Sequence, residues 1–238
     1  MRRLRTERDP GVATGTGGGS TCRVVANLSV LGMGVFLALG LGFSGGCFGS
    51  GHAPSQRYYS LPISLGLKEQ PKRFDFVVRV EEFDVVPAYD RHRLVYRLSP
   101  YEFRYYGFRQ WGTKPGRLVA DSFRAYLRHS GLFADVTEGP APTPRYTVTG
   151  KVIAIEEQDY GPKVGQKQWY AHLSLVVEVG RIADGKVVWR TMTDRRVPLA
   201  KKRPKAMVAG MTILLRQVAA RLLSGIVRQA DADRERGK

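Results

Sequence analysis

The chain has 238 residues, of which 43% are aliphatic, aromatic or cysteine, and a formal net charge of +17. That length holds one ordinary domain with an N-terminal extension, leaves two full domains cramped, and contains enough apolar material for a core. Residues 1–46 carry five basic and two acidic groups, so +14 of the charge belongs to the rest of the chain. Such a field favours anionic partners: phospholipid headgroups, lipopolysaccharide, an acidic protein face or nucleic acid. The two cysteines are Cys22 and Cys47, which excludes a disulfide framework and a cysteine-based metal site from the domain beyond residue 60.

Arg2, Arg3, Arg5, Arg8 and Arg23 precede an uncharged run from Val24 to Phe43, and Ser44, Gly45 and Gly46 lead to Cys47. A basic segment, an apolar stretch and a small-residue zone describe a secretory signal over residues 1–46. With a cysteine directly after it, the pattern resembles the lipobox of bacterial lipoproteins, in which the cysteine receives a diacylglycerol and becomes the mature N-terminus. Ser44 stands where lipoboxes usually carry leucine. Ordinary cleavage and an uncleaved membrane helix remain alternative readings of this segment, although Gly32, Gly34, Gly40 and Gly42 weaken such a helix. Residues 47–56 then form a lipidated N-terminus and flexible tether. All three readings place the remainder outside the cytoplasm.

The domain is expected over residues 57–232, with a polar, fraying tail after it. Phe74 to Phe83 reads as a first strand, Arg93 to Leu98 as a second and Glu102 to Tyr106 as a short aromatic third. From Lys114 to His129 the period changes: Leu118, Val119, Phe123, Tyr126 and Leu127 share a helical face, and Gly131 stops the helix. Leu132 to Val136 and Tyr146 to Ile155 read as strands around a proline-rich loop. Trp169, Ala171, Leu173, Leu175, Val177 and Val179 alternate with Tyr170, His172, Ser174, Val176 and Glu178, so one apolar face meets the core. Asp184-Gly185 favours a hairpin turn, from which Lys186 to Val197 returns antiparallel. Pro204 opens a long helix with Val208, Met211, Leu215, Val218, Leu222 and Ile226 inward and Arg216, Arg221 and Arg228 outward. The predicted fold is α/β: a single layered domain whose mixed, largely antiparallel sheet is flanked by two main helices covering one or both faces.

Catalysis requires convergent groups, and the sequence offers scattered ones. His52, His92, His129 and His172 fall on the tether, a loop, a helix end and the polar side of a strand, where His172 reads as solvated. Glu81-Glu82 and Glu156-Glu157 are strand neighbours that point to opposite faces, so neither pair can share a substrate. Asp90-Arg91-His92 are successive loop residues. No phosphate-cradling glycine loop, cofactor motif or metal-ligand spacing is present, and the expectation is a protein that is not an enzyme and needs no cofactor.

Two clusters stand out as binding candidates. From Arg97 to Arg109, Tyr101, Phe103, Tyr105, Tyr106 and Phe108 interleave with Arg97, Arg104 and Arg109. This is either an edge strand with arginines lying over an aromatic core or a protein or lipid contact through Tyr101, Phe103, Arg104, Tyr105 and Arg109. Such interleaving can also bind nucleic acid, but export argues against that partner. The second cluster is Arg195, Arg196, Lys201, Lys202, Arg203 and Lys205. Cations before a helix start oppose its macrodipole, so the segment either contacts an anionic partner or fans into water.

Arg57-Tyr58-Tyr59-Ser60-Leu61, Val86-Pro87-Ala88-Tyr89-Asp90-Arg91, Leu94-Val95-Tyr96-Arg97 and the Tyr106, Trp111, Leu118, Phe123, Leu127 and Gly131-Leu132-Phe133 positions together resemble the ABC-type transport auxiliary lipoprotein components. These small lipoproteins accompany mammalian-cell-entry (MCE) type lipid transport systems. The resemblance spans Cys47 to Arg228 and is most specific over residues 86–133; His92-Arg93 stand where a proline is expected nearby. It implies a mixed sheet with flanking helices, no ATPase activity, and a role assisting transport of lipids or other apolar molecules. The implied partners are MCE-type or other ABC transport components and the membrane lipid attached through Cys47; a homo-oligomer is compatible. Phe48 after the cysteine, in place of an inner-membrane retention aspartate, points to the outer membrane facing the periplasm, with inner-membrane anchoring left open. The alternatives are an envelope-assembly lipoprotein serving lipopolysaccharide export or wall-synthase activation, and, less favoured, a periplasmic hydrolase.

Overall fold

A computed structural model describes residues 54–139, 143–161 and 168–236. The signal segment, Cys22, Cys47 and most of the tether lie outside the described residues. In chain order the elements are β1 (Arg57–Tyr59), β2 (Val77–Val80), β3 (Asp84–Val85), β4 (Arg93–Ser99), β5 (Glu102–Trp111), α1 (Pro115–His129), β6 (Asp135–Thr137), β7 (Tyr146–Gln158), β8 (Trp169–Arg181), β9 (Val187–Leu199) and α2 (Pro204–Arg236).

Strands β7, β8 and β9 have 13 residues each, about 40 Å at the usual rise per residue, and pair antiparallel. The other edge of β7 is taken in turn by three shorter parallel partners: β2 at Tyr146–Val148, β3 at Lys151–Val152 and β4 at Glu156–Gln158. β5 pairs antiparallel with β4, while β1 and β6 add parallel to β5 and β2. The sheet is therefore mixed, with its longest pairings antiparallel, as the sequence predicts.

Alternation along β8 sends Ala171, Leu173, Leu175, Val177 and Val179 to one face, where each is at most 1% exposed. α2 lies on that face. Gly210 permits the approach, since a Cβ there would sit 2.6 Å from the Ala171 methyl. α1 joins it on the same side through Phe123, which meets Phe83 edge-on at 5.5 Å; Phe83 in turn covers Gly150, the register partner of Val177. Both helices thus cover one face, and among the described residues no helix covers the other face of the sheet.

The departures from expectation have local causes. Ordered pairing confines the first strand to Val77–Val80, because Phe74 and Phe76 turn into an aromatic cluster with Phe133 and Tyr146. Leu132 and Phe133 are buried before strand β6 begins. Gly185 occupies the β8–β9 connection at φ +67°, while the Asp184 carboxylate accepts the Lys186 N–H. The expected frayed tail is helical through Arg236. Its carboxylates hold it down: Asp231 accepts two bonds from Arg73 at 2.8 Å, and Asp233 meets Tyr146 at 2.6 Å and Arg181 at 3.1 Å. Burial and that bond push the Tyr146 phenol up to about 12. Arg216 is exposed, as expected, and also donates to the Ile63 and Leu65 carbonyls at 2.9 and 2.8 Å. α2 is long and apolar enough to cross a membrane, but Met207, Met211, Leu215, Val218, Leu222 and Ile226 are buried in the domain core.

A buried ionic cluster and the candidate contact surfaces

Register aligns Val95 and His172 with Glu156, so Glu156, Gln158 and His172 share the face opposite α1 and α2. Tyr89, from the β3–β4 connection, and Arg97, from β4, close over them. Glu156 is 1% exposed. Its carboxylate accepts from Tyr89 Oη at 2.6 Å and from Arg97 Nε at 2.8 Å, and lies 3.2 Å from both Gln158 Nε2 and His172 Nδ1. His172 Nε2 lies 2.7 Å from Asp194 on β9. Burial alone would raise the Glu156 carboxyl, but the hydrogen bonds from His172, Arg97 and Tyr89 outweigh it and bring it down to about 2. Burial and the adjacent carboxylate push the Tyr89 phenol up.

His172 is therefore not solvated, contrary to expectation, because the overlying loop and two carboxylates enclose its ring. Glu157 points to the opposite face, as strand geometry requires; it is also buried and accepts from Tyr106 Oη at 3.2 Å. Burial raises its carboxyl, and the Tyr106 bond partly offsets that. The Glu156 cluster braces β4, β7, β8 and β9 around a fixed charge. Its carboxylate is enclosed by donors from the protein itself, so it has no vacant position for acid–base work on a substrate. The sequence signal for it was alternation: residues 156, 158 and 172 are polar positions on neighbouring strands, readable as one patch only once register is known.

The other polar candidates do not converge. Asp90 pairs with Lys114 at 3.2 Å, Arg91 stacks on Tyr105 at 4.4 Å, and His92 is exposed. Among the described residues no group of three or more His, Cys, Asp or Glu side chains is placed to hold a metal ion.

The aromatic segment is divided by the pleat of β5. Phe103 and Tyr105 share one face, where Arg97 and Arg91 lie over their rings at 5.4 and 4.4 Å, and Tyr105 donates to the Ala88 carbonyl. Arg104 pairs with Glu102 at 2.7 Å. Arg109 donates to the Phe108 carbonyl. Tyr101 at the hairpin tip is 96% exposed. β1 pairs with β5 only at Arg109–Trp111, so the remaining outer edge of β5 is open among the described residues.

The basic segment occupies the end of β9, the connection beyond it and the first turn of α2. Arg195, Arg196, Lys201, Arg203 and Lys205 are exposed and make no ion pair among the described residues. Lys202 is the exception. It pairs with Asp159 and lies 5.7 Å above the Tyr96 ring, so its charge is neutralised although its side chain stays exposed.

The fold and these surfaces define an α/β domain with an internally neutralised polar brace and a positively charged exterior. The chain belongs to the family of ABC-type transport auxiliary lipoprotein components, whose model matches residues 59–222. It is similar in structure to a protein from Xanthomonas campestris, at 20% identity and a TM-score of 0.63, covering 74% of this chain and 99% of that one. A second solved structure, of a protein described as uncharacterized, matches at 16% identity and a TM-score of 0.57 over 72% and 99% of the two chains. No curated protein matches the sequence. Membership assigns the chain to lipoproteins that act as auxiliary components of ABC-type transport, and so to the cell envelope.

Proposed function

We propose that this protein is a membrane-anchored, non-catalytic accessory of an MCE-type transport system that moves lipids or other apolar molecules across the cell envelope. Cys47 carries the lipid, residues 47–56 tether the domain, and the domain faces the periplasm from the outer membrane. The observation that carries the reading beyond the family is the row of unpaired cations: Arg195, Arg196, Lys201, Arg203 and Lys205 have no internal anion among the described residues. They meet an acidic face of the transport partner or the headgroups of the anchoring membrane, with the exposed Tyr101 and Phe103 as a second contact.

The test is purification of the full chain from its native membrane with its N-terminus read by mass spectrometry. Wild type is expected to carry a diacylated Cys47 and to bring down a permease, an ATPase and an MCE protein. Cys47→Ala is released from the membrane, and combined Arg196→Gln, Lys201→Gln and Arg203→Gln lowers partner recovery at least tenfold without loss of the lipid. An unmodified Cys47, or a mature chain that retains Cys22, refutes the anchor. Recovery of lipopolysaccharide-export or wall-synthesis proteins instead refutes the transport reading.

A further inference from the structure

On the helix side of β9, a cleft of about 430 Å³ opens between the strand and α2, lined by Trp189, Arg190, Thr191, Arg221, Ser224 and Arg228. Spacings of three and four residues put Arg221, Ser224 and Arg228 on one side of α2. Gly225 lies between them, and a Cβ there would stand 2.6 Å from the Trp189 indole. Glycine thus lets the indole lie directly against the helix, with one arginine a turn to either side. Arg190 is neutralised by Glu178 at 3.1 Å. Arg221 and Arg228 form no ion pair or hydrogen bond among the described residues, and no carboxylate lines the cleft. The lining therefore carries two uncommitted guanidinium groups beside an aromatic wall. The Ser224 proton is committed to the Ala220 carbonyl at 3.0 Å, so the free donors among the described residues are the two guanidiniums, the Thr191 hydroxyl and the Trp189 indole N–H.

Guanidinium forks match phosphate oxygens bidentately and are less strongly hydrated than ammonium groups. The geometry points to a binding site for a phosphate group, held by Arg221 and Arg228 against Trp189. A phospholipid headgroup and free phosphate share that chemistry. The lipid source rests on the transport reading.

The test is calorimetric titration of the full chain in uncharged detergent, at fixed ionic strength, with dioctanoyl phosphatidylglycerol, inorganic phosphate and dioctanoylglycerol. Phosphate-bearing probes are expected to bind and to shift the Trp189 indole N–H resonance. Combined Arg221→Gln and Arg228→Gln weakens binding at least tenfold with an unchanged thermal melt, whereas the Lys pair restores part of it. Binding of the lipid more than tenfold tighter than phosphate assigns a headgroup; closer affinities assign free phosphate. Undiminished affinity in the Gln pair, or dioctanoylglycerol binding as tightly as the phospholipid, overturns the site. So does loss of affinity on neutralising Arg196, Lys201 and Arg203 instead. A chain that binds phosphate here but recovers no transport component leaves the cleft standing and refutes only the transport reading.

Discussion

Replacing Glu156 by glutamine keeps the shape of the buried side chain and removes its charge. Arg97 then loses its anion, Tyr89 loses its carboxylate acceptor, and His172 keeps Asp194 but loses the second of its two carboxylates. Two routes give the magnitude. Between the ordinary carboxylate value of 4.5 and the folded value of about 2, at about 1.4 kcal/mol per pH unit, the native state gains about 3 kcal/mol from keeping Glu156 ionised. Removing one partner of a buried ion pair costs about 3–5 kcal/mol, and the lower end applies because Arg97 retains 20% exposure. The sign follows from the depressed folded value: the native state binds fewer protons than the unfolded one between pH 2 and pH 4.5. Stability from this carboxylate is complete above the unfolded value and is lost as pH falls through the folded one. Urea unfolding from pH 7 to pH 2 should show wild type weakening below about pH 5 by some 3 kcal/mol more than Glu156→Gln. A variant within 1 kcal/mol of wild type at pH 7, or one with the same acid slope, refutes the assignment of this charge as the brace.

Gly150→Ala places a Cβ 2.2 Å from the Val176 carbonyl oxygen and 2.4 Å from the Phe83 ring; the backbone oxygen cannot step aside, so a loss of about 1–3 kcal/mol is expected in a thermal or urea melt. An unchanged midpoint would show that the β7–β8 spacing yields freely. Gly185→Val forces a β-branched residue to a φ of +67° and should lose on the order of 1 kcal/mol; since space around Gly185 is open, Gly185→Asn should lose less, and equal losses would contradict a backbone origin.

Long-period features were legible in the sequence. The alternation of β8 and the three-to-four spacing of α2 and α1 each report a single face against a single core, and the structure buries those residues there except at two element ends, where Trp169 and Val208 are only partly buried. What escaped was everything set by register between distant segments. His172 looks like any polar strand residue until register brings Glu156, 16 positions earlier, and Asp194, 22 positions later, to its two ring nitrogens. Lys202 counted as surface charge until β7 ended beside it and supplied Asp159. Arg216 and Asp231 lie at positions that helical periodicity assigns to solvent, and remote backbone and side-chain partners claim them. Polar residues carry no periodic mark of whom they bond, so their fates were the least readable part of the chain.

With both helices on one face, the order in which the chain emerges matters. α2 comes last, and its final turns bond to Arg73, 158 residues earlier, and to Tyr146. Until α2 is made, Leu173, Leu175, Val177 and Val179 form a bare apolar stripe on a sheet whose long strand β9 pairs on one edge alone among the described residues. Such contacts of high sequence separation form late, and exposed strands of this kind aggregate. The domain therefore closes only once α2 is available, loss of Asp231 and Asp233 removes a clasp, and a chain that stops short of α2 is expected to aggregate more readily than one that includes it.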